Sequence, residues 1–371
     1  MKIGILKELK VAENRVCMTP AGAEILRHNG HEVLVEEGAG QKSGFTDLEY
    51  SEHGSKIAKK REEIFKEADI LLHVKEPQPS EYDLIRKDQI LFTFLHLAAS
   101  EELTKALIKT KSICFAYETV QKTDGSLPLL TPMSEIAGRM AAQEGAKYLE
   151  MTYGGNGVLL GGVPGVEPGV VVIIGAGVVG TNAAKIAAGL GARVYILDTN
   201  VERLRHLSEI MPKNCITVKS TPSEIRKLIR IADVVIGAVL LPGAKAPRLI
   251  TKDMLSTMKA GAVLLDVSID QGGCFETSKP TTHENPTYII DSIVHYSVAN
   301  MPGAVPKTST LALTNATLPY ILEIANKGWR RAVLENHEIS LGANIIQGNI
   351  TYKAVSEAFG MDYVSAESMA K

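Results

Sequence analysis

Residues Val170–Gly180 read VVVIIGAGVVG, and this segment is the clearest fold signal in the chain. Five β-forming residues lead into Gly175, Gly177 and Gly180, which stand at G-x-G-x-x-G spacing. In a strand–turn–helix unit the first glycine allows the tight turn, the second lets the backbone approach a pyrophosphate, and the third lets helix and strand pack closely. The N–H groups of the helix start then face the phosphate charge. The segment therefore predicts a dinucleotide-binding βαβ unit.

A second apolar run, ARVYILD, follows a helix-like segment and ends in Asp198. An acid at this point accepts hydrogen bonds from the ribose hydroxyls and repels a 2′-phosphate, so Asp198 favours NAD over NADP. A glycine-rich turn without a ligand is the alternative interpretation. The strand, the glycines, the helix and the acid all occur in the required order, which favours the dinucleotide site.

Length and composition indicate a globular protein of two domains. A chain of 371 residues exceeds one ordinary core. Its residues are 45% hydrophobic and 22% charged, and the net charge is −2, so nucleic acid and anionic membranes are not expected partners. No apolar run approaches the ~18 residues of a membrane helix, and the opening segment lacks a signal-peptide core. We therefore expect a cytoplasmic protein.

The cysteines and histidines show no metal-binding pattern. Cys17, Cys114, Cys215 and Cys274 stand far apart without a C-x-x-C pair, as is typical of reduced thiols. The nine histidines also lack metal-ligand spacing. No metal site is predicted.

Strand-like and helix-like segments alternate along most of the chain, which predicts mostly parallel sheets. We expect an α/β protein of two Rossmann-like, doubly wound domains with a cleft between them, joined by long crossover helices. The predicted substrate domain is discontinuous and comprises residues 1–130 and 306–371. The predicted NAD-binding domain comprises residues 131–305.

Polar residues follow several predicted strands, where ligands bind in open α/β sheets. Arg15 lies after the first strand, Lys75 follows ILLHV, His96 follows ILFTFL, and Asp270 follows VLLDV. An Arg fork binds a carboxylate, a Lys polarises a carbonyl, and His and Asp exchange protons. Each residue also has a simpler explanation: a solvated charge, a local ion pair, a histidine bonded to backbone, or a turn-forming acid.

Long strings in the chain resemble the family of bacterial L-alanine dehydrogenases. They include KELKVAENRVCMTP, HVKEP, FTFLHLA, LLTPMSEIAGRMA, GAGVVGTNAAKIA, DVSIDQGGCFET and HYSVANMPGAVPKTST, and the resemblance runs essentially end to end. It implies the reversible conversion of L-alanine, NAD and water into pyruvate, ammonia and NADH. It also implies a homo-oligomer, in most relatives a hexamer.

The resemblance assigns roles to the four polar residues. Arg15 and Lys75 would hold the substrate carboxylate and its reacting carbonyl. His96 and Asp270 would be the proton-transfer pair, and which of them performs which step stays open.

The resemblance implies further contacts. For the substrate these are Phe94 and Met133, which would line a small apolar pocket, and Asn300. For the cofactor they are Gly175, Gly177, Gly180 and Asp198, together with Ser134, Val178, Val179, Arg203, Ser220, Val239, Leu240, Val267, Ser268, Ile269, Asp270, Lys279, Val298, Ala299, Asn300 and Met301. Arg203 stands where the family often has Lys, Lys279 where it often has Arg, and Phe94 where Tyr is common.

Two other functions compete with this interpretation. One is the NAD-binding module of a proton-translocating transhydrogenase, which would dock to a membrane partner. The other is a dehydrogenase of a larger amino acid of the lysine or saccharopine type, which would need an open, charged pocket. Lys75 and His96 argue against the first alternative, and Phe94 and Met133 argue against the second.

Overall fold

A computed structural model describes residues 1–239 and 246–371 of the chain. It contains two compact units, of which the first comprises Met1–Met133 with Gly303–Lys371 and the second comprises Ser134–Pro302. Each unit is built on one mostly parallel β-sheet, so the protein has the predicted α/β fold. Leu240, one of the predicted cofactor contacts, lies outside the described residues.

Strands and helices alternate along much of the described chain. In chain order the strands are β1 (Lys2–Ile5), β2 (Glu32–Glu36), β3 (Lys56–Ala58), β4 (Ile70–Leu72), β5 (Ile90–Thr93), β6 (Ile113–Ala116), β7 (Val170–Ile174), β8 (Arg193–Asp198), β9 (Cys215–Lys219), β10 (Val234–Gly237), β11 (Val263–Asp266), β12 (Thr287–Ile290), β13 (Ile293–Tyr296), β14 (Ala343–Ile346) and β15 (Asn349–Ile350). The helices are α1 (Pro20–His28), α2 (Asp47–Glu52), α3 (Arg61–Glu67), α4 (Glu101–Thr110), α5 (Thr131–Tyr148), α6 (Val178–Gly189), α7 (Val201–Ile210), α8 (Pro222–Ile229), α9 (Lys252–Leu255), α10 (Pro306–Lys327), α11 (Trp329–Glu335), α12 (His337–Gly342), α13 (Lys353–Phe359) and α14 (Ala366–Ala370).

The sheet of the first unit has the strand order β15-β14-β6-β5-β4-β1-β2-β3. Strands β1 to β6 pair in parallel, while β14 and β15 add an antiparallel edge. Strands β2 and β3 lie on one side of β1. The chain then crosses to the other side, where β4, β5 and β6 follow in order. The carboxyl ends of β1 and β4 therefore form a topological switch point, where open α/β sheets bind their ligands.

The sheet of the second unit has the order β12-β13-β11-β10-β7-β8-β9 among the described residues. Strand β7, which leads into the glycine motif, lies between β10 and β8, and the switch point of the sheet lies between β7 and β10. Strand β13 follows β12 and pairs in parallel with β11. Strand β12 then pairs antiparallel with β13 as the edge. Only residues 291 and 292 connect the two strands. They carry no strong turn signal, so the sequence does not predict this hairpin.

Local sequence explains where several helices begin. Helix α1 begins after a capping threonine: the Thr19 side chain accepts a hydrogen bond from the Gly22 N–H, and Pro20 stands in the first turn. Helix α5 spans Thr131–Tyr148. Helix α10 runs for 22 residues and continues through Pro319.

Each unit has its own apolar core under its sheet. In the first unit it includes Leu6, Phe65 and Leu107, and in the second it includes Val172 and Phe275. Burying a side chain of this size is worth about 1.5–3 kcal/mol. In the described part of the chain, no helix has both the length and the apolar character that crossing a bilayer requires.

Candidate active site

Two predicted substrate-binding residues and one predicted proton-transfer residue follow neighbouring strands of the first unit. Arg15 lies in the connection after β1, Lys75 follows β4, and His96 follows β5. The strands pair in parallel, so that Ile5 lies beside Leu72 and Leu72 beside Phe92. Their carboxyl ends therefore share one edge of the sheet, at its switch point.

Arg15 is held by an acidic neighbour. Its side chain is 2% exposed, and that of Glu13 is fully buried. The two Glu13 oxygens accept hydrogen bonds from Arg15 Nε at 2.7 Å and Nη2 at 2.5 Å, and the backbone N–H of Arg15 also donates to Glu13. Arg15 Nη1 lies 2.9 Å from Met133 Sδ. The guanidinium plane is thus fixed by a two-point ion pair.

Helix α10 anchors the connection that carries Arg15. The N–H of Val16 donates to Thr310 Oγ1 at 3.1 Å, and the N–H of Thr19 donates to Thr314 Oγ1 at 3.2 Å. Both threonines are buried. A helix near the end of the chain therefore places a residue near its beginning.

His96 occupies a turn with a left-handed backbone. Its φ is +50°, a conformation that non-glycine residues adopt at a cost. Glu118 stabilises the turn, because Oε1 accepts the His96 N–H at 2.6 Å and both its oxygens accept the Leu95 N–H at 3.2 Å. The His96 imidazole is about half exposed, and Nδ1 lies 3.8 Å from Glu118 Oε1.

An aromatic cluster supports the same turn. The rings of Phe94 and His96 are stacked with centroids 5.9 Å apart, and Phe94 meets Tyr117 edge to face at 5.1 Å. Phe94 is 3% and Met133 6% exposed, as expected of apolar lining residues. Burial raises the pKa of the Tyr117 hydroxyl well above its usual value, so this group stays neutral.

The glycine motif in the second unit has the conformation that a dinucleotide turn requires. Gly175 has a φ of +104°. A Cβ on Gly180 would lie 1.8 Å from the Gly175 carbonyl oxygen, so only glycine fits there. A Cβ on Gly177 would meet nothing within 4 Å, which leaves space above the backbone. Helix α6 begins at this point without a side-chain cap on its first N–H groups.

Asp198 lies at the end of β8, next to the glycine turn. Its Oδ2 accepts the Ala176 N–H at 2.8 Å, and its Oδ1 accepts the Asn200 N–H at 2.8 Å. Arg203 Nη1 lies 3.5 Å from Oδ2 and is about half exposed. Each carboxylate oxygen has two lone pairs, so Asp198 retains acceptor capacity for ribose hydroxyls.

Loops after β10 and β11 stand beside the glycine turn in the same sheet. Ser268 Oγ donates to the Val239 carbonyl at 2.8 Å and ties these loops together. Buried Asp266 accepts hydrogen bonds from the Cys274 N–H, the Phe275 N–H and Ser278 Oγ. This carboxylate shapes the segment that carries Asp270, which is exposed on a 3₁₀ turn.

The other predicted cofactor residues differ in exposure. Asn300 has a φ of +60°, and its carbonyl oxygen lies 3.1 Å from His283 Nε2. Lys279 Nζ lies 4.4 Å from the centroid of the Tyr288 ring, a cation–π contact. Ile269, Val298 and Met301 are buried, Ser134, Val179, Ser220, Val267 and Ala299 are half-buried, and Val178 is exposed.

These observations fit an NAD molecule on the second unit. The open surface at Gly177, the uncapped start of α6 and the acid at the end of β8 provide for a pyrophosphate and an adenosine ribose. Within residues 1–239 and 246–371, no group of three or more metal-ligating side chains is placed to hold an ion.

Four carboxylates that shape the site were not among the predicted site residues: Glu8, Glu13, Glu118 and Asp266. Each touches the backbone or side chain of a predicted residue or its loop. Glu8 and Glu13 precede Arg15 closely enough in sequence to suggest a shared loop. Glu118 carries no such signal, because its contact with His96 depends on the pairing of β5 with β6.

Two family models match the chain. The model "Alanine dehydrogenase/PNT, N-terminal domain" matches residues 4–137, and "Alanine dehydrogenase/PNT, C-terminal domain" matches residues 141–353. The chain is also 52% identical over 369 residues to an alanine dehydrogenase of Halomonas elongata, with 100% of each chain covered. It is 55% identical over 368 residues to alanine dehydrogenase 2 of Staphylococcus aureus, with 99% of each chain covered.

Solved structures show the same relationship. A structure of an L-alanine dehydrogenase superposes with a TM-score of 0.94 at 48% identity, covering 97% of this chain and 99% of that chain. A transhydrogenase from Sinorhizobium meliloti superposes with a TM-score of 0.81 at 22% identity, covering 95% and 100%. The second likeness establishes the fold alone. Both family models and the full-length identity lead to one conclusion: the chain belongs to the alanine dehydrogenase/PNT family.

Proposed function

We propose that this protein catalyses the reversible oxidative deamination of L-alanine with NAD. In the forward direction L-alanine, NAD⁺ and water give pyruvate, ammonium, NADH and a proton. The observation that carries the proposal is the identity of 52–55% with curated alanine dehydrogenases, which extends over 99–100% of both chains. The matched length covers both the glycine motif of the second unit and the strand-end residues of the first.

In this proposal Arg15 binds the substrate carboxylate. Glu13 and the Met133 sulfur hold the guanidinium in one orientation, which reduces the entropy lost on binding. Lys75 lies beside the reacting centre and polarises the carbonyl or carbinolamine oxygen. Phe94 and Met133 surround the methyl group, because both are buried and apolar. Asn300 completes the proposed substrate contacts.

His96 and Asp270 are the proposed proton-transfer groups. Once the substrate ammonium has lost a proton, loss of the hydride from the α-carbon leaves an iminium, to which water adds with loss of a second proton. The resulting carbinolamine releases ammonia when its amine gains a proton and its hydroxyl loses one. Positioned acid–base groups contribute roughly 10²–10⁴ in rate to such steps. The assignment of each step to His96 or to Asp270 remains open in the proposal.

The second unit is the proposed NAD-binding domain. NAD supplies the hydride acceptor when it is bound. Gly175, Gly177 and Gly180 would face the pyrophosphate, and Asp198 would accept hydrogen bonds from the adenosine ribose. The proposed domain limits are residues 131–305 for this part, and residues 1–130 with 306–371 for the substrate part.

A substrate panel tests the function. The purified protein is mixed with NAD⁺ and one amino acid at a time, and NADH is followed by its absorbance. We expect L-alanine to give the highest kcat/KM, and the reverse reaction to require both pyruvate and ammonium. A preference for lysine, or hydride exchange between nucleotides without any amino-acid oxidation, would reject the proposal.

The proposal extends to assembly and location. We propose a homohexamer in the cytoplasm, which rests on the family resemblance and on four cysteines that are all free thiols. Light scattering after size-exclusion chromatography measures the oligomeric state. A monomer at micromolar concentration would contradict it.

A further inference from the structure

A buried carboxylate lies beneath the turn that carries Lys75. The Glu8 side chain is 4% exposed. Its Oε1 accepts the Val74 N–H at 2.7 Å, and its Oε2 accepts the Lys75 N–H at 3.2 Å. Two successive backbone donors thus bind one carboxylate just past the end of β4, where the parallel ladder stops.

The same turn is held from its other side. Thr93 Oγ1 donates to the Lys75 carbonyl at 2.9 Å, and the Phe94 N–H donates to the Val74 carbonyl at 3.2 Å. Thr93 is fully buried. The backbone of Lys75 is therefore fixed at both its N–H and its carbonyl, by groups after β1 and on β5.

The charge of Glu8 is balanced by a buried histidine. His73 Nδ1 lies 3.4 Å from Glu8 Oε1, its Nε2 lies 3.6 Å from Glu81 Oε1, and the ring is 3% exposed. Glu81 in turn receives Arg61 Nη1 at 2.7 Å. Burial lowers the pKa of His73, but the hydrogen bond and charge of Glu8 and the charge of Glu81 outweigh this and raise it.

We propose that Glu8 is a positioning residue for Lys75 in the amino-acid site. Its carboxylate accepts the Val74 and Lys75 N–H groups and so fixes the backbone from which the lysine side chain extends, and the buried His73 ring lies against the same carboxylate. Glu8 does not touch the substrate. The inference rests on the proposed function, because Lys75 matters to turnover only if an amino acid is the substrate.

The variant Glu8→Gln keeps the size of the side chain and removes one acceptor and the charge. We expect KM for pyruvate to rise about tenfold, the effect of losing one well-placed contact of ~1.4 kcal/mol, while the Kd for NADH changes less than twofold. The matched control is Glu81→Gln, an equally buried carboxylate that also faces His73 but does not touch the Lys75 turn. It should change the pyruvate KM less than twofold.

A second measurement separates positioning from general damage. Pyruvate binding to the enzyme–NADH complex is titrated by NADH fluorescence in wild type, Glu8→Gln, Lys75→Ala and the double variant. If Glu8 acts through Lys75, its substitution weakens binding about tenfold in the wild type and less than twofold in the Lys75→Ala background. Equal weakening in both backgrounds, or none in either, overturns the proposal.

Hydrogen exchange of the Val74 and Lys75 amides gives a readout that needs no turnover. We expect faster exchange at this segment in Glu8→Gln than in Glu81→Gln, with the rest of the sheet unchanged. If wild type fails to oxidise L-alanine, the proposed function is lost, and hydrogen exchange alone decides on Glu8. Unchanged exchange in Glu8→Gln would then reject the contact itself.

Discussion

Glu118 fixes His96 at two points: its Oε1 accepts the His96 backbone N–H at 2.6 Å and lies 3.8 Å from the ring atom Nδ1. The first contact stabilises a left-handed backbone, and the second attracts the imidazole when it is protonated. One acidic residue therefore holds the turn that carries a proposed acid–base group and also lies beside its ring.

Glu118→Gln should lower kcat more than it raises KM. The amide still accepts one backbone hydrogen bond, so the turn persists, but the charge that attracts the imidazolium is lost. We expect a decrease in kcat of about tenfold, a part of the roughly 10²–10⁴ that a positioned acid–base group contributes. Steady-state kinetics with L-alanine across pH measures it.

The control for that variant is Glu102→Gln, which removes an exposed carboxylate on α4. It should leave kcat and the pH profile of kcat unchanged. An identical pH profile and kcat in Glu118→Gln and wild type would show that Glu118 has no influence on the proton-transfer group.

His96→Ala and Asp270→Asn should each abolish turnover while NADH binding survives. His96 lies in the first unit and Asp270 in the second, whereas the glycine turn and Asp198 are left intact by both changes. NADH fluorescence titration measures the binding, and absorbance measures turnover. Deamination near the wild-type rate in either variant would reject the role proposed for that residue.

The sequence predicts the fold because its signals are local. The glycines of the β7–α6 turn act on their own backbone, and Thr19 with Pro20 starts α1 within three residues. Buried parallel strands such as β4 and β5 appear as short apolar runs, since both faces are covered. The hairpin of β12 and β13 cannot be predicted from local signals in this way, because its second strand depends on pairing with β11.

The site is predictable to the extent that its residues follow strands. Arg15, Lys75 and His96 stand where the sheet order brings ligands, so composition and position suffice to nominate them. The carboxylates behind them are not predictable in this way. Glu118 reaches His96 across 22 positions and Glu8 reaches Lys75 across 67, distances over which only the folded sheet sets the contact.

Asp198→Gly should weaken NAD binding more than NADP binding. The change removes the acceptor for the ribose hydroxyls and the negative charge that repels a 2′-phosphate. In the wild type, Arg203 lies 3.5 Å from the Asp198 carboxylate. Without that carboxylate its guanidinium favours the 2′-phosphate of NADP. Steady-state kinetics with both nucleotides measures the ratio of kcat/KM values, and equal weakening of both would contradict the ribose contact.

His73 should make stability depend on pH in a definite direction. Its pKa in the folded protein is raised above the ordinary value of 6.5, because Glu8 and Glu81 face the ring and outweigh both burial and the charge of Arg61. The stabilisation is therefore fully present below pH 6.5 and is lost as pH rises through the folded pKa. Denaturant unfolding should show a larger advantage of wild type over His73→Gln at pH 6 than at pH 9.

A matched substitution, His28→Gln, removes an exposed histidine from the end of α1 and should leave the pH dependence of unfolding like that of wild type. The argument requires both carboxylates, since the raised pKa of His73 depends on their charge. In Glu8→Gln the pKa of His73 must fall, and the difference in unfolding free energy between pH 6 and pH 9 must shrink. If that difference is the same in wild type, His73→Gln and Glu8→Gln, the buried histidine does not change its protonation state between pH 6 and pH 9, and the expected direction is wrong.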